Sequence, residues 1–572
     1  MNKLNMILIV WFMAMCCCNS NTRADTIYVD SDVASPGDGS SWGRAFNKLE
    51  NALAIAVSDD QIWVATGVYY PPNANDPTSS FVIPDGVRVY GGFRGNEQDI
   101  DDRGDPFDHP TALNGSAGPS YSVVQMIDCG ISTVLDGFII EKGNAVAAAG
   151  LNQQGGGIRG VNSTPVLRNL IIRNNEAAFR GSGVYLDGTV SAFAVVEDCV
   201  FDSNRTSTMF ETHVPTIVQS CTFLNAIDAG ALRGMFSGIM SITDCLFVGN
   251  TGGTAGTPLS FYMESADSYV EITDCVIRDN SGNTGAITVA GQGNYEIRSC
   301  LIQGNEGLSC GALRILSSLI TSTLIENTLF TGNNTVGGAG AILIEGSQIT
   351  RIINTTIAAN NATSTPAGGI TINTTRAVHI DNSILWGNIG TGTPRQDTNL
   401  FADPLDDLIV NRSIVQGLGT DFVPAGVAIV GSDPMFVDLD GDDDTPGTLD
   451  DNARLMPGSP AIDAGSNLIV GPAVLSDIYG STRFADDAGT PDTGVDDGLG
   501  LIVDMGAAEF QGTTIPPCIA DFTGDGILDF FDISAFLNAY NAQSPAADFN
   551  HDGQYDFFDI SLYLSFFNAG CP

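Results

Sequence analysis

The sequence predicts an all-β solenoid, and three observations predict it. One short pattern recurs nine times between Leu167 and Asn388, with a weaker tenth copy ending near Gly417. Successive copies lie 22 to 30 residues apart, a period that makes the chain a stack of similar coils. Within each copy apolar and polar residues alternate after one small residue, as in a strand with one buried side.

The small residues are Leu170, Cys199, Cys221, Cys245, Cys275, Cys300, Thr328, Thr355, Ser383 and Ser413. Three residues earlier every copy has Leu, Val or Ile, as in Ile242, Ile272 and Ile297. Two residues later every copy is again large and apolar, as in Phe201, Phe223, Phe247, Ile277 and Ile302. The two polar residues before the small one break the alternation, so the chain bends there. Asp or Asn stands at that bend in seven copies: Asn169, Asp198, Asp244, Asp274, Asn327, Asn354 and Asn382. These residues tolerate left-handed backbone angles. Five positions after the small residue eight copies carry Asn, namely Asn175, Asn204, Asn250, Asn280, Asn305, Asn333, Asn360 and Asn388. An Asn at one corner of each coil can hydrogen-bond the next coil's turn. A second strand follows, opened by Gly-Ala or Gly-Gly, as in Gly285-Ala286-Ile287 and Gly340-Ala341-Ile342.

Strands of about five residues with corners between them read as a right-handed parallel β-helix. Eleven or so coils ~4.8 Å apart would make a rod on the order of 50 Å long. No helical period appears within the repeats, which sets aside a leucine-rich repeat.

The paired signatures resemble the repeats of chlamydial polymorphic outer-membrane proteins, as in Phe201-Asp-Ser-Asn204, Phe247-Val-Gly-Asn250 and Phe330-Thr-Gly-Asn333. The flanks resemble large secreted bacterial β-helix proteins, notably those of planctomycetes. The segments that carry this likeness are Gly37-Asp-Gly-Ser-Ser-Trp42 with Ile62-Trp63-Val64, Pro457 through Gly465, and Asp504-Met-Gly-Ala-Ala-Glu509. The likeness implies a fold and says little about chemistry.

The ends delimit five regions. Lys3, an apolar run from Met6 to Met15 and Thr22-Arg-Ala24 read as a secretory signal, residues 1–24, cut before Asp25. Cys16, Cys17 and Cys18 leave lipid attachment as the alternative, although Met15 precedes Cys16 where a small residue is preferred. Residues 25–125 form an N-terminal cap and first strands. In them Leu49, Leu53 and Ala56 predict a short amphipathic helix, and Ile62–Val64 and Val87–Tyr90 predict strands. Such a cap protects an otherwise open strand edge. Residues 126–420 are the coils, 421–515 a C-terminal cap region and 516–572 a separate small module.

The chain carries 23 basic and 66 acidic residues, a formal charge of −43. That balance disfavours nucleic acid and anionic membranes, because phosphate binding needs a basic surface. It suits calcium and an extracellular or outer-surface life. Asp-rich segments near Asp438 and Asp486 carry part of it. No stretch is long and apolar enough to span a membrane. Nine cysteines follow the signal. Five of them read as small core residues in one column. Nine is odd, so at least one is unpaired or pairs with another chain. Cys518 and Cys571 bracket the last module, a placement that predicts a disulfide between them.

The strongest chemical motif is in that module. Asp521, Thr523, Asp525, Asp529 and Asp532 place oxygen donors at positions 1, 3, 5, 9 and 12 of a loop. Gly526 permits the turn, and Ile527 offers its main-chain carbonyl. The arrangement returns as Asp548, Asn550, Asp552, Gln554, Asp556 and Asp559. Two such loops in register are EF-hand-type Ca²⁺ sites, since hard Ca²⁺ takes six to eight oxygens. Asp rather than Glu at position 12, with candidate helices Ile533–Tyr540 and Ile560–Phe567, resembles a dockerin. That resemblance implies a small all-α module and a cohesin-like or cell-surface partner. Phe530, Phe531, Phe557 and Phe558 depart from the polar residues usual there and serve either the module's own core or a partner.

Catalysis is the alternative to a binding role, because polysaccharide lyases and glycoside hydrolases use this fold. The best carboxylate pair is Asp244 and Asp274, stacked on neighbouring coils, and bend geometry explains both more simply. His109, His213, His379 and His551 fall at unrelated repeat positions. The expectation is therefore a secreted or surface rod for adhesion or for glycan or protein binding. A polysaccharide-cleaving enzyme is the second reading.

Overall fold

The computed structural model describes residues 24–118, 120–146, 153–188, 192–228, 230–252, 256–374, 376–391, 399–402, 407–417, 425–498 and 500–512. Near the C-terminus it describes 520, 522–523, 528, 530–547, 549, 555 and 557–569. Three parallel sheets, of 14, 13 and 12 strands, form the faces of a solenoid. The first face holds the strands ahead of the bend, such as Ile239–Thr243, Tyr269–Thr273 and Gly293–Arg298. The second holds three-residue strands after the bend, such as Leu246–Val248, Val276–Arg278 and Leu301–Gln303. The third holds the strands opened by Gly-Ala, such as Ile287–Gly291, Leu313–Ile315 and Ile342–Ile344.

Register follows the repeat. Ile242 lies beside Ile272, and Phe247 beside Ile277 beside Ile302. All of these side chains are buried in one continuous core. Phe201, Phe223 and Phe247 stack with ring centroids 4.5 and 4.7 Å apart. The stack is longer than eleven coils, because Thr26–Val29, Gln61–Ala65 and Arg88–Phe93 are already the first three strands of the first face. The helix Leu49–Ile55 buries Leu49, Ala52 and Leu53 against that end.

All ten bend residues adopt left-handed angles, with φ between 43° and 55°. Besides the seven Asp and Asn they include Ser220, Ser299 and Arg412. The tertiary stack therefore enforces the bend even where the residue does not favour it.

The Asn column is a hydrogen-bonded ladder. Asn280 donates its Nδ2 to Phe247 O and to Asn305 Oδ1, at 2.9 and 3.0 Å. Asn305, Asn333 and Asn360 repeat the arrangement, and Asn399 continues the column beyond Asn388. Each amide thus satisfies buried polar groups on two coils. The small column is likewise buried. Among the described residues Cys129, Cys199, Cys221, Cys245, Cys275, Cys300 and Cys310 are free thiols. Burial pushes the Cys221 and Cys275 thiols well up and that of Cys310 up to about 12.

Residues beyond 425 both close and flank the stack. Ala425 and Val430 bridge to Ile409 and Ile414 as a last partial coil. The chain then runs back along the side of the rod, and the antiparallel pair Phe436–Asp438 and Asn452–Leu455 is part of this return. Asn327, Asn354 and Asn382 each donate to a carbonyl of the returning chain, at Ser476, Asp504 and Ser466, all at 3.0 Å. The Gly471 N–H donates to buried Glu326 at 2.6 Å. The return also buries Leu329, Thr356, Ile384 and Ile414, which point outward from the second face. The corresponding Leu246, Val276 and Leu301 stay partly exposed.

The helices Phe530–Asn541 and Phe557–Ala569 form a small separate core around Phe536 and Tyr563, whose rings stack 3.9 Å apart. Among the described residues no helix is long and apolar enough to cross a membrane.

Candidate functional site

Asp244 and Asp274 occupy the bend of adjacent coils, with exposed side chains at φ 55° and 53°. The packed corner desolvates both carboxyls and raises their pKa. A Ser220 hydroxyl 3.0 Å from Asp244 opposes the rise there, and the Asp244 charge adds to it at Asp274. Beside Asp274 the returning chain leaves a cleft of about 440 Å³. Val276 and Leu301 line one wall, and Val474, Leu475, Ser476 and Ile478 line the other. Asp274 and buried Asp477 are the cleft's two acidic residues, and Asp477 is committed to the backbone N–H groups of Tyr479, Ser481 and Glu509. That leaves one free carboxylate, short of the pair that glycoside hydrolysis requires.

The structure assembles a second group, which the repeat positions concealed. Outward residues Arg159, Tyr185, Glu211 and Arg233 are successive neighbours across the third face. From the adjoining turns Arg180 and His213 fold over them. Glu211 is 1% exposed, with His213 Nε2 at 2.9 Å and Arg180 Nε at 3.6 Å. Arg180 Nη1 also stands 3.1 Å from that His213 nitrogen and 3.3 Å from Tyr185 Oη. Burial pushes the Tyr185 hydroxyl up to about 12, so it stays protonated while its oxygen accepts from Arg180 Nη1. Arg159 Nε is buried without a hydrogen-bond partner. One guanidinium and one imidazole therefore close over one buried acid, with Tyr185 and Arg233 on the flanking strands and Arg159 one strand further along the face. The result is a locally basic patch on an acidic chain, suited to carboxylate and hydroxyl groups. Its sequence signal was the alternation itself: Arg, Tyr, Glu and Arg sit at one outward position of four consecutive coils.

Of the proposed calcium ligands, Thr523, Asp532 and Asp559 are described. Asp521, Asp525, Ile527, Asp529, Asp548, Asn550, Asp552, Gln554 and Asp556 lie outside the described residues, as do Cys518, Cys571 and residues 1–23, where the signal was expected. The side chains of Phe530, Phe531, Phe557 and Phe558 do so too. Asp532 and Asp559 are fully buried, each at the first turn of its helix. Asp532 accepts hydrogen bonds from Thr523 N and Oγ1, both at 2.9 Å, and Asp559 accepts one from Phe549 N at 2.8 Å. Each position-12 carboxylate thus turns back on the start of its own loop.

Residues 119–318 match a family model described as "Right handed beta helix region". No curated protein matches the chain. Among solved structures, the crystal structure of pectate lyase Pel9A is similar at 14% identity and a TM-score of 0.37, over 85% of this chain and 97% of that one. At that identity and score the likeness extends neither to substrate nor to individual residues. The matched segment spans coils whose strands pair in parallel register throughout, and the architecture of this molecule is a right-handed parallel β-helix.

Proposed function

We propose that the protein is a secreted or cell-surface β-helix rod that binds glycan or protein ligands on its faces. A calcium-dependent, dockerin-like tail would fasten it to a cohesin-like or other surface partner. One observation carries the non-catalytic reading. Asp244 and Asp274 share their left-handed geometry with eight other bend residues, among them Ser220 and Arg412. Backbone geometry therefore accounts for the stacked carboxylate pair that the sequence singled out for catalysis. On this reading the third-face patch of Arg159, Tyr185, Arg180 and His213 receives an acidic polysaccharide. Its guanidiniums supply charge, and Tyr185 and His213 supply ring faces and hydrogen bonds.

The test is a panel of neutral and acidic polysaccharides with added calcium, followed for reducing ends and for unsaturated products. No turnover is expected. Binding to an acidic polymer should weaken at least tenfold in Arg180→Ala. Turnover that disappears in Asp244→Asn or Asp274→Asn would overturn the reading and install the second one, a polysaccharide lyase or glycoside hydrolase. The cleft beside Asp274, whose carboxyl is raised by burial, is the observation that favours this alternative.

A further inference from the structure

The returning chain contains buried acids that divide into two kinds. Asp477, Asp504 and Glu509 are buried and saturated by main-chain donors. Asp504 accepts from Asp463 N at 2.7 Å and Phe510 N at 2.6 Å, and Glu509 accepts from Ala485 N and Asp504 N, both at 3.1 Å. Buried Arg483 stands 3.8 Å from Glu509 and donates to the carbonyls of Gly506 and Ala507. Asp463 is different. It is fully buried at φ 51°, and neither carboxylate oxygen has a hydrogen-bond partner. The Asp487 amide faces it without closing a hydrogen bond of normal geometry. A buried, unpartnered carboxylate is strongly disfavoured unless a cation or proton compensates it.

What faces Asp463 is more negative charge. Carboxylate oxygens of Asp463, Asp486 and Asp492 all lie within 4.8 Å of one another. Calcium–oxygen distances are roughly 2.3–2.6 Å, so two ligands of one ion are at most about 5 Å apart. The three oxygens therefore already stand at the separation that a single ion spans. Main-chain hydrogen bonds hold the loop that carries Asp486 and Asp492 close to Asp463. Thr493 N and Gly494 N donate to Asp463 O at 3.0 and 2.9 Å, and Asp487 closes its own turn onto Thr490. The nearby cation Arg412 is engaged with the carbonyls of Thr493 and Ala464 and leaves the carboxylates uncompensated. In this setting burial, and then the Asp486, Asp492 and Asp487 charges, push the Asp463 carboxyl up to about 6.

We infer that Asp463, Asp486 and Asp492 bind one calcium ion that pins the 485–495 loop to the returning chain. The donors are all carboxylate oxygens, with no imidazole or thiolate among them, which selects a hard cation over zinc. Asp463 is the inner ligand. The two exposed acids form the rim, and water or main-chain carbonyls complete the shell. This site is separate from the tail loops and does not depend on the functional proposal.

The experiment uses the full chain and calcium alone as probe, comparing wild type, Asp486→Asn/Asp492→Asn and Asp463→Asn. The double variant alters exposed side chains only and should fold normally. Equilibrium dialysis should count one calcium fewer per chain in it, and calcium should protect the 485–495 loop from proteolysis at least tenfold in wild type only. In Asp463→Asn the same protection should vanish, and in EDTA its loop should be cut more slowly than that of wild type, because the unpaired buried charge is gone. Equal calcium counts in wild type and double variant, or calcium protection that persists in both variants, would overturn the inference. So would an Asp463→Asn loop cut faster than wild type in EDTA.

Discussion

Replacing Asn305 by Ala tests the amide ladder where its geometry is most complete. The Asn305 side chain makes four hydrogen bonds: Nδ2 to Ile277 O at 2.9 Å and to Asn333 Oδ1 at 2.9 Å, and Oδ1 from Asn280 N and Asn280 Nδ2, both at 3.0 Å. All lie in a fully buried column. At ~1 kcal/mol each the four bonds sum to ~4 kcal/mol, and leaving the Asn280 N–H without its acceptor adds ~1–3 kcal/mol. A water drawn into the vacated space returns part of this, so the expected loss is ~3–4 kcal/mol. Native-state hydrogen exchange reads it locally. Protection of the Asn280 amide should fall by about two to three orders of magnitude, since ~1.4 kcal/mol is a factor of ten. Asn305→Asp, which keeps the acceptor and loses both donors, should destabilise while retaining more of the Asn280 protection. Unchanged exchange at Asn280 in Asn305→Ala would show that the ladder satisfies no buried backbone and would refute the reasoning.

Four further outcomes follow from the same geometry. Ala226 interrupts the Asn column, and the Asn204 Nδ2 faces the Met209 sulfur at 3.7 Å instead of a next amide. Ala226→Asn should therefore add about 1 kcal/mol of stability and raise the thermal midpoint, and a lower midpoint would mean the corner has no room for the amide. Phe223→Ala removes the middle ring of the stacked trio and should cost ~3–5 kcal/mol in denaturant unfolding, a loss under ~1 kcal/mol being incompatible with a tightly packed interior. Arg298 contacts Glu296 at 2.6 Å and buried Glu326 at 3.2 Å, and Glu326 also holds Gly471 N. Arg298→Met should leave Glu326 short of a partner at a cost of ~3 kcal/mol and speed proteolysis near Gly471. The Asp451 carboxyl is pushed up to about 6 from 3.8, first by burial, despite its bond from Gly447 N. Because its folded pKa is the higher one, its contribution is fully present below pH ~4 and is lost as pH rises through ~6, an effect of ~2–3 kcal/mol. In EDTA, urea midpoints of wild type should fall relative to Asp451→Asn across that window, and parallel curves would contradict the assignment.

Much of the fold was legible because its contacts are between neighbours in the repeat. Phe247 meets Ile277, and Asn280 meets Asn305, at separations fixed by the coil length. Any residue type required at one coil is therefore required at the next, and the requirement surfaces as periodicity. The bend could be read from Asp and Asn, although Ser220, Ser299 and Arg412 show that the stack imposes left-handed angles without them. The third-face patch was only half legible. The ladder of Arg159, Tyr185, Glu211 and Arg233 is periodic, but Arg180 and His213 reach Glu211 from turns of differing length.

The amino-acid order by itself determined the coil, the inward columns, the amide ladder and the bends, all of which rest on contacts one repeat away. The tertiary structure alone decided where the chain after Val430 would go. It placed Gly471 on Glu326, Ser476 on Asn327 and Asp504 on Asn354, and it set Asp463 against Asp486 and Asp492. The contacts with the stack join residues about 150 positions apart without any period. Only the folded surface, with Leu329, Ile384 and Ile414 facing outward and needing cover, specifies that path.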